Sequence, residues 1–130
     1  MRTAIARLVA VMLAASFGAS GASTQTVQLK RVMQTKLEHA QGILGDVVTS
    51  NWSRLQRDTE ALRRTTMDPA WAVLTTPEYV RQTATFVRAT EELLEAAKRQ
   101  DLEATPLAYV SLTLSCVQCH RYVARMRIAK

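Results

Sequence analysis

The sequence has few of the residues that build disulfide scaffolds, turn-rich β folds or aromatic binding surfaces. Its 130 residues include two cysteines, three prolines and four glycines, and aromatic residues make up only 5%. Two cysteines form at most one bridge, which excludes a disulfide framework as the main source of stability. The scarcity of proline and glycine argues against a fold with many turns, and the scarcity of aromatic residues argues against a stacking surface for nucleic acid. The length suits a single domain.

The beginning of the chain has the pattern of a secretory signal peptide. Two arginines precede an apolar run over residues 8–17, and small residues follow up to Ala22, where cleavage is expected. The run is shorter than the roughly 20 apolar residues that a membrane span requires. We therefore expect export to the periplasm, removal of residues 1–22, and one domain over residues 23–130 without stable membrane insertion. An uncleaved anchor at the membrane surface is the alternative.

The distribution of charge argues against a nucleic-acid partner. The chain has 17 basic and 11 acidic residues, and loss of Arg2 and Arg7 with the signal peptide leaves 15 basic residues and a net charge of +4. Nucleic-acid binding favours a concentrated basic stripe, whereas most of these residues are spread along the chain. A C-terminal group is the exception, and cations there suit the negative end of a helix dipole. This group comprises Arg121, Arg125, Arg127 and Lys130.

Four segments of the chain show the 3.6-residue period of a helix. They cover residues 26–49, 51–66, 76–101 and 105–127. Asn51, or Ser50 before it, suits the N-cap of the second helix. The third and fourth helices begin with a capping residue before a first-turn proline, at Thr76-Pro77 and Thr105-Pro106. Because the connections are mostly short, the sequence predicts an all-α fold, an antiparallel up-down-up-down four-helix bundle.

Each predicted helix has a stripe of residues that we expect to face the core. The stripes are Met33, Leu37, Ala40, Leu44 and Val47 on the first helix and Trp52, Leu55, Thr59, Leu62 and Thr66 on the second. They are Val80, Ala84, Val87, Glu91, Leu94 and Ala97 on the third helix, with Phe86, Thr90 and Leu93 alongside, and Leu107, Val110, Leu114 and Val117 on the fourth. The longest connection, residues 67–76, is expected to pack back onto the core through Trp71, Val73 and Leu74. This segment covers either a cofactor or a partner site.

The last predicted helix carries the motif Cys116-Val117-Gln118-Cys119-His120. This C-x-x-C-H spacing is the attachment signature of c-type haem. Two thiols add to the two vinyl groups of one porphyrin, and the next residue supplies an imidazole to the iron. On a helix, Cys119 lies about 60° back from Cys116 and His120 about 40° forward, so all three project from one broad face.

Other readings of the motif fit this chain less well. A thioredoxin-like redox pair belongs in a βαβ context, which the helical pattern does not provide. A structural zinc site needs four ligands, and His39 is the only other histidine or cysteine in the chain. A coincidental spacing is improbable in an exported protein that uses its only cysteines in this pattern.

An exported four-helix protein with C-x-x-C-H in its last helix resembles the cytochrome c′ family, the class II c-type cytochromes. The resemblance implies one covalent haem c, held by Cys116 and Cys119, with His120 as the proximal iron ligand. Family members commonly have an aromatic and a basic residue three and four positions after the motif, whereas here Tyr122 follows His120 by two and Arg125 by five. The basic residue that pairs with a haem propionate is therefore either Arg125 or Arg121. Family members also often dimerise through helices 1 and 2, so a homodimer is compatible with the resemblance.

The residue on the other side of the iron separates two kinds of family member. Low-spin members place a methionine from helix 1 there, and high-spin members leave the position open. Met33 lies about seven residues from the start of helix 1, as His120 lies about seven residues from the end of helix 4, so both are about 10 Å from one end of an antiparallel bundle. We therefore expect Met33 to be the distal ligand.

Several alternatives to distal ligation by Met33 remain open in the sequence. Met33 could simply fill the core, as methionine usually does, and Met67 at the end of helix 2 is the second candidate ligand. His39 points about 120° away from Met33 and is expected at the surface, and Met126 shares a helix with His120. Lys36, one turn after Met33, either borders the distal side or is a solvated cation.

The resemblance implies an electron carrier that exchanges single electrons with periplasmic or membrane redox proteins. Ligation by both Met33 and His120 would keep the iron six-coordinate in both oxidation states. The alternative is a five-coordinate haem protein that binds small gases such as NO and CO at an open site lined by Val32, Met33 or Leu37. An enzyme is not expected, because no distal histidine–arginine pair is visible. A non-haem protein with a thiol pair or metal site is the third class.

Overall fold

The computed structural model describes the backbone of residues 20–126 and the side-chain surroundings of residues 24–126. It contains four α-helices and two short 3₁₀ helices, and no strand occurs within this described part of the chain. The α-helices are α1 (Ser20–Val48), α2 (Trp52–Arg64), α3 (Pro77–Lys98) and α4 (Ala104–Arg125). The all-helical prediction is therefore confirmed, and four helices are compatible with a bundle. Nearly all of the predicted signal peptide lies outside the described residues.

Two of the predicted helix caps are confirmed and one is wrong. The Asn51 side chain accepts a hydrogen bond at the start of α2, and Thr76 does so at the start of α3. Thr105 does not cap α4, because it lies inside the first turn and is buried. The carboxylate of Asp101 instead accepts hydrogen bonds from the backbone N–H groups of Glu103 and Ala104, which lowers the pKa of Asp101.

Thr76 connects two helices as well as capping one. Its hydroxyl accepts from the backbone N–H of Tyr79 and is hydrogen-bonded at 2.7 Å to the hydroxyl of Tyr122 on α4. We expect Thr76→Ala to lower the free energy of unfolding by about 1–2 kcal/mol, since it removes both a cap and a tertiary hydrogen bond. Thr75→Ala is the matched control, because Thr75 is exposed, and its effect should stay within about 0.5 kcal/mol. Equal losses for the two variants, measured by urea denaturation, would contradict this role of Thr76.

The helices pack in sequence, and this order leaves one side of the fold open. α1 contacts α2, α2 contacts α3 and α3 contacts α4 extensively, whereas α1 and α4 have few contacts with each other. The centre of the core consists of fully buried apolar side chains from all four helices. These are Ile43, Leu55, Leu62, Phe86, Leu93 and Leu112. None of the described helices is long and apolar enough to cross a membrane.

The predicted core stripe is confirmed on α2, holds in part on α1, where the half-buried Met33 and Val47 pack against the core, and is wrong on α4. On α2, Leu55, Thr59 and Leu62 are buried. On α1 the buried row is Val32, Lys36, Ile43 and Asp46, while Leu37 and Leu44 are about half exposed. On α4 all four predicted residues, Leu107, Val110, Leu114 and Val117, are exposed, and Thr105, Leu112 and Ser115 are buried. Both helices have a second row of apolar residues that is exposed, so the helical period of the sequence could not show which row is buried.

The predicted stripe on α3 is also displaced. Val80, Ala84 and Glu91 are exposed. The neighbouring row of Phe86, Thr90 and Leu93 is buried instead, together with Tyr79, Ala89 and Ala96; Ala97 alone of the predicted stripe is fully buried. The displacement follows the large side chains, because burying Phe86 and Leu93 removes more apolar surface from water than burying Val80 and Ala84.

The connection between α2 and α3 packs against the core, as predicted. It contains the two 3₁₀ helices, Thr65–Met67 and Pro69–Trp71. Trp71 is buried and stacks on Phe86 with ring centroids 5.4 Å apart. Its indole N–H donates to the Thr83 hydroxyl at 3.0 Å, and its carbonyl accepts from the hydroxyl of Tyr79. Trp71 is thus fixed by one ring contact and two hydrogen bonds, all with residues of α3.

Asp46 on α1 is a buried carboxyl group with incomplete partners. Its Oδ1 lies 3.5 Å from Nε of Arg54, while Oδ2 has no hydrogen-bond partner in the described part of the chain. Burial raises the pKa of Asp46, and the charge of Arg54 offsets only part of this rise.

This carboxyl group makes stability depend on pH in a defined direction. The folded protein retains the Asp46 proton at pH values where the unfolded chain, with a pKa near 3.9, has lost it. The free energy of unfolding is therefore expected to fall as pH rises from about 3.9 through the raised pKa of Asp46. Asp46→Asn removes this titration, so its stability relative to the native sequence should increase over the same range. A difference that stays constant with pH, measured by urea denaturation, would sink this prediction.

Candidate functional site

A cleft lies between α1 and α4, where these helices have few direct contacts. Its main cavity has a volume of about 710 Å³, within the usual range of about 300–1,000 Å³ for small-molecule and cofactor sites. α1 contributes Lys30, Met33, Gln34, Lys36, Leu37 and Ala40, and α4 contributes Cys116, Val117, His120, Arg121 and Ala124. Leu37 and Val117, two of the residues that were predicted to face the core, therefore border this cavity instead.

A second cavity of about 290 Å³ adjoins the same residues. Lys30, Met33, Lys36 and His120 line both cavities. Cys116 borders the larger cavity and Cys119 the smaller one. The smaller cavity is closed by Trp71 and Val73 of the α2–α3 connection and by Tyr79 of α3. This connection therefore forms a wall of the cleft.

The two thiols and the imidazole of the motif differ in how burial and the charge of Lys36 act on them. Cys116 and Cys119 are half-buried and not joined in a disulfide. Burial raises the pKa of the Cys119 thiol, and the positive charge of Lys36 opposes that rise. Partial loss of hydration lowers the pKa of His120, and Lys36 lowers it further. Both effects favour the neutral imidazole over the charged one, and neutral imidazole is the form that binds metals.

Lys36 is buried, so the interpretation of this residue as a solvated cation is wrong. Its side chain borders both cavities and the residue is only 6% exposed. The Nζ atom lies 3.8 Å from the ring centroid of Phe86 and 4.7 Å from that of Trp71. Burial lowers the pKa of Lys36.

The charges that border the cleft are all positive. Lys30, Lys36 and Arg121 line one or both cavities, and among the described residues no aspartate or glutamate lines either cavity. The remaining walls are mostly apolar. Such a site suits a flat apolar ligand that carries anionic groups, because the apolar part loses water and the anions meet cations. Haem, with its porphyrin ring and two propionates, has this character.

The structure separates the other candidates that the sequence proposed for this site. Met67 is 67% exposed and does not line either cavity. Val32 is buried in the core, so its predicted place in an open gas site is wrong. His39 was expected at the surface and is half-buried. It does not line the cleft. Met33 remains the methionine that shares both cavities with His120.

The basic residues after the motif also differ in position. Arg121 borders both the main cavity and a shallow surface groove, whereas Arg125 borders only that groove, beside Glu78 and Tyr122. Arg121 therefore has access to a ligand in the cleft.

Sequence reasoning did not assign a role at this site to Tyr79. The only signal was its place beside the Thr76-Pro77 helix start, where the first turn of α3 meets the long connection. Burial raises the pKa of Tyr79 to about 12, so its hydroxyl remains protonated. It donates to the Trp71 carbonyl and keeps the wall of the smaller cavity in place.

Comparisons with known proteins do not place this chain in a family. No protein-family model, curated protein or solved structure matches it. Within the described residues, no group of three or more histidine, cysteine, aspartate or glutamate side chains is arranged to hold a metal ion. The case for a cofactor therefore depends on the motif and the cleft.

Proposed function

We propose that this chain is a periplasmic c-type cytochrome that carries one covalent haem c in the cleft between α1 and α4 and transfers single electrons between redox proteins. The observation that carries the proposal is the shared cleft: both cysteines of the C-x-x-C-H motif, His120 and Met33 border it. The walls are apolar and the bordering charges are positive. This fits the porphyrin and propionates of haem.

We further propose the antiparallel up-down-up-down topology that the resemblance to cytochrome c′ implies. Three hydrogen bonds between helices support it. The start of α3 is bonded to the end of α4 through Thr76 and Tyr122. Gln56, near the start of α2, donates to the carbonyl of Ala97 at the end of α3, and Tyr109, early in α4, donates to the carbonyl of Ala40 in the second half of α1.

Each residue of the cleft has a separate task in this proposal. Cys116 and Cys119 would hold the porphyrin through thioether bonds, and His120 would bind the iron. Met33, on the opposite wall of the cleft, would supply a second iron ligand. When bound, haem supplies a one-electron iron couple. One ligand from each wall would keep the iron coordination unchanged when the oxidation state changes. The wall that contains Trp71 and Tyr79 would exclude water from one end of the cleft.

The proposed partners are periplasmic or membrane redox proteins that bind transiently. Export through the N-terminal signal peptide would bring the chain to the compartment where these partners act. No catalytic residue is assigned, because electron transfer needs access to the haem edge and no substrate chemistry.

Absorption spectra of the purified protein test the proposal directly. The alkaline pyridine spectrum of the denatured protein should be that of a haem with two thioether bonds, and the intact mass should exceed the mass of residues 23–130 by one haem. The ferric protein should show the low-spin spectrum with the methionine–iron band. Absence of covalent haem from protein exported by a host with a haem-attachment system would overturn the proposal.

Gas binding is the second candidate function. It is favoured by the size of the main cavity and by Leu37 and Ala40, which add apolar surface next to Met33. A high-spin ferric spectrum, together with rapid carbon monoxide binding by the reduced protein, would favour this function over electron transfer.

A further inference from the structure

Lys36 differs from the other cations of the cleft in its burial. Lys30 and Arg121 are exposed, whereas Lys36 is 6% exposed and borders both cavities. Water and salt weaken the field of the two exposed charges. A charge at the position of Lys36 is surrounded mainly by protein, so its field acts on the cleft with much less screening.

Aromatic rings hold Lys36 in place of an acidic partner. Its Nζ lies over Phe86 and Trp71, at 3.8 and 4.7 Å from the ring centroids. A cation is attracted to the face of an aromatic ring. No carboxylate of the described residues lies within ion-pair distance of Lys36. The rings therefore favour the charged amine without neutralising its charge, and Trp71 is itself fixed by Thr83 and Tyr79.

Lys36 lies beside the motif residues in the cleft. It lines both cavities together with His120, while Cys116 borders the larger cavity and Cys119 the smaller one. A charge at Lys36 is therefore close to all three residues proposed to hold haem.

We propose that Lys36 sets the reduction potential of this protein, because its buried charge favours the ferrous over the ferric state of a haem held by Cys116, Cys119 and His120. The inference rests on the proposed function. Reduction takes one electron from a donor redox protein and lowers the positive charge of the iron from three to two. A fixed positive charge disfavours the more highly charged ferric state, so Lys36 raises the potential.

A spectroscopic redox titration of the mature holoprotein tests this role. Lys36→Leu removes the charge without introducing an iron ligand. We expect the ferrous-to-ferric ratio at a fixed ambient potential to fall about tenfold, which is 59 mV for a one-electron couple. Lys36→Arg keeps the charge and can stack on the same rings, so its potential should stay close to that of the native sequence.

Lys30→Leu is the matched control. It removes the same charge from an exposed position on the same two cavities, and its shift should be a small fraction of that for Lys36→Leu. Three results would overturn the inference. They are equal shifts in potential for Lys30→Leu and Lys36→Leu, no shift for Lys36→Leu, and a lowered potential for Lys36→Arg.

The same samples distinguish this inference from the proposed function. The pyridine spectrum of each variant reports covalent haem, and circular dichroism reports whether the helices are intact. If the native protein lacks covalent haem, the proposed function fails and the inference fails with it. If haem is present and the potential does not depend on Lys36, only the inference fails.

Discussion

A protein with both Cys116→Ser and Cys119→Ser is expected to lose covalent haem completely. Serine hydroxyls do not form the thioether bonds that the proposal assigns to these residues. After acid–acetone extraction, all haem should leave the double variant, whereas the native protein should retain one haem per chain. Mass spectrometry of the intact chain measures this difference.

The single variants make the test sharper. Cys116→Ser and Cys119→Ser should each keep one thioether and one unreacted vinyl group, so their pyridine spectra should lie between that of haem with two vinyl groups and that of haem with two thioether bonds. Ser115 provides a matched control, since it precedes the motif and is buried away from the residues that line the cleft. Ser115→Ala should keep the full c-type spectrum. Covalent haem in the double variant would refute attachment through these thiols.

Met33→Ala is expected to change the iron from low spin to high spin. The variant removes the proposed distal ligand, so the methionine–iron band should disappear from the ferric spectrum. Carbon monoxide should bind the reduced variant at least about tenfold more tightly. This follows if methionine occupies the iron in more than about 90% of the native molecules, because the open fraction is then below about a tenth.

Met67→Ala is the matched control for this experiment. Met67 is exposed and lies outside the cleft, so removing it should leave the spectrum and carbon monoxide affinity unchanged. If Met33→Ala leaves the native spectrum intact, Met33 has only a packing role. If the native ferric protein is already high spin, the distal position is open and gas binding becomes the better account.

Local patterns predicted the features of the fold that depend on neighbours in the sequence. Asn51 and Thr76 cap helices because a side-chain oxygen at that position reaches backbone N–H groups two or three residues ahead. The α2 stripe was correct because Leu55, Thr59 and Leu62 stand on a helix whose other face is strongly polar. Thr105 was assigned wrongly because the helix begins one residue earlier, where the carboxylate of Asp101 accepts from the N–H groups of Glu103 and Ala104, and this places Thr105 inside the first turn.

Long-range packing decided which apolar face of a helix is buried. α1 and α4 each have two apolar faces, and the period of a helix is the same for both. The position of Lys36 shows the difficulty: a charged residue is almost never fully buried unless it is paired. The rings that accommodate it come from Phe86 on α3 and Trp71 in the connection, and no local rule relates these segments.

The sequence by itself determined the helical class, most helix ends, and the C-x-x-C-H motif with the haem chemistry it predicts. These features depend on spacings within one or two helical turns, which the chain order sets directly. Only the tertiary structure decided that Met33 shares a cleft with His120, that Met67 and Val32 do not border it, and that Lys36 is buried beside it. Those outcomes depend on how α1 packs against α2 and away from α4, since side chains distant in sequence meet only after the helices have packed.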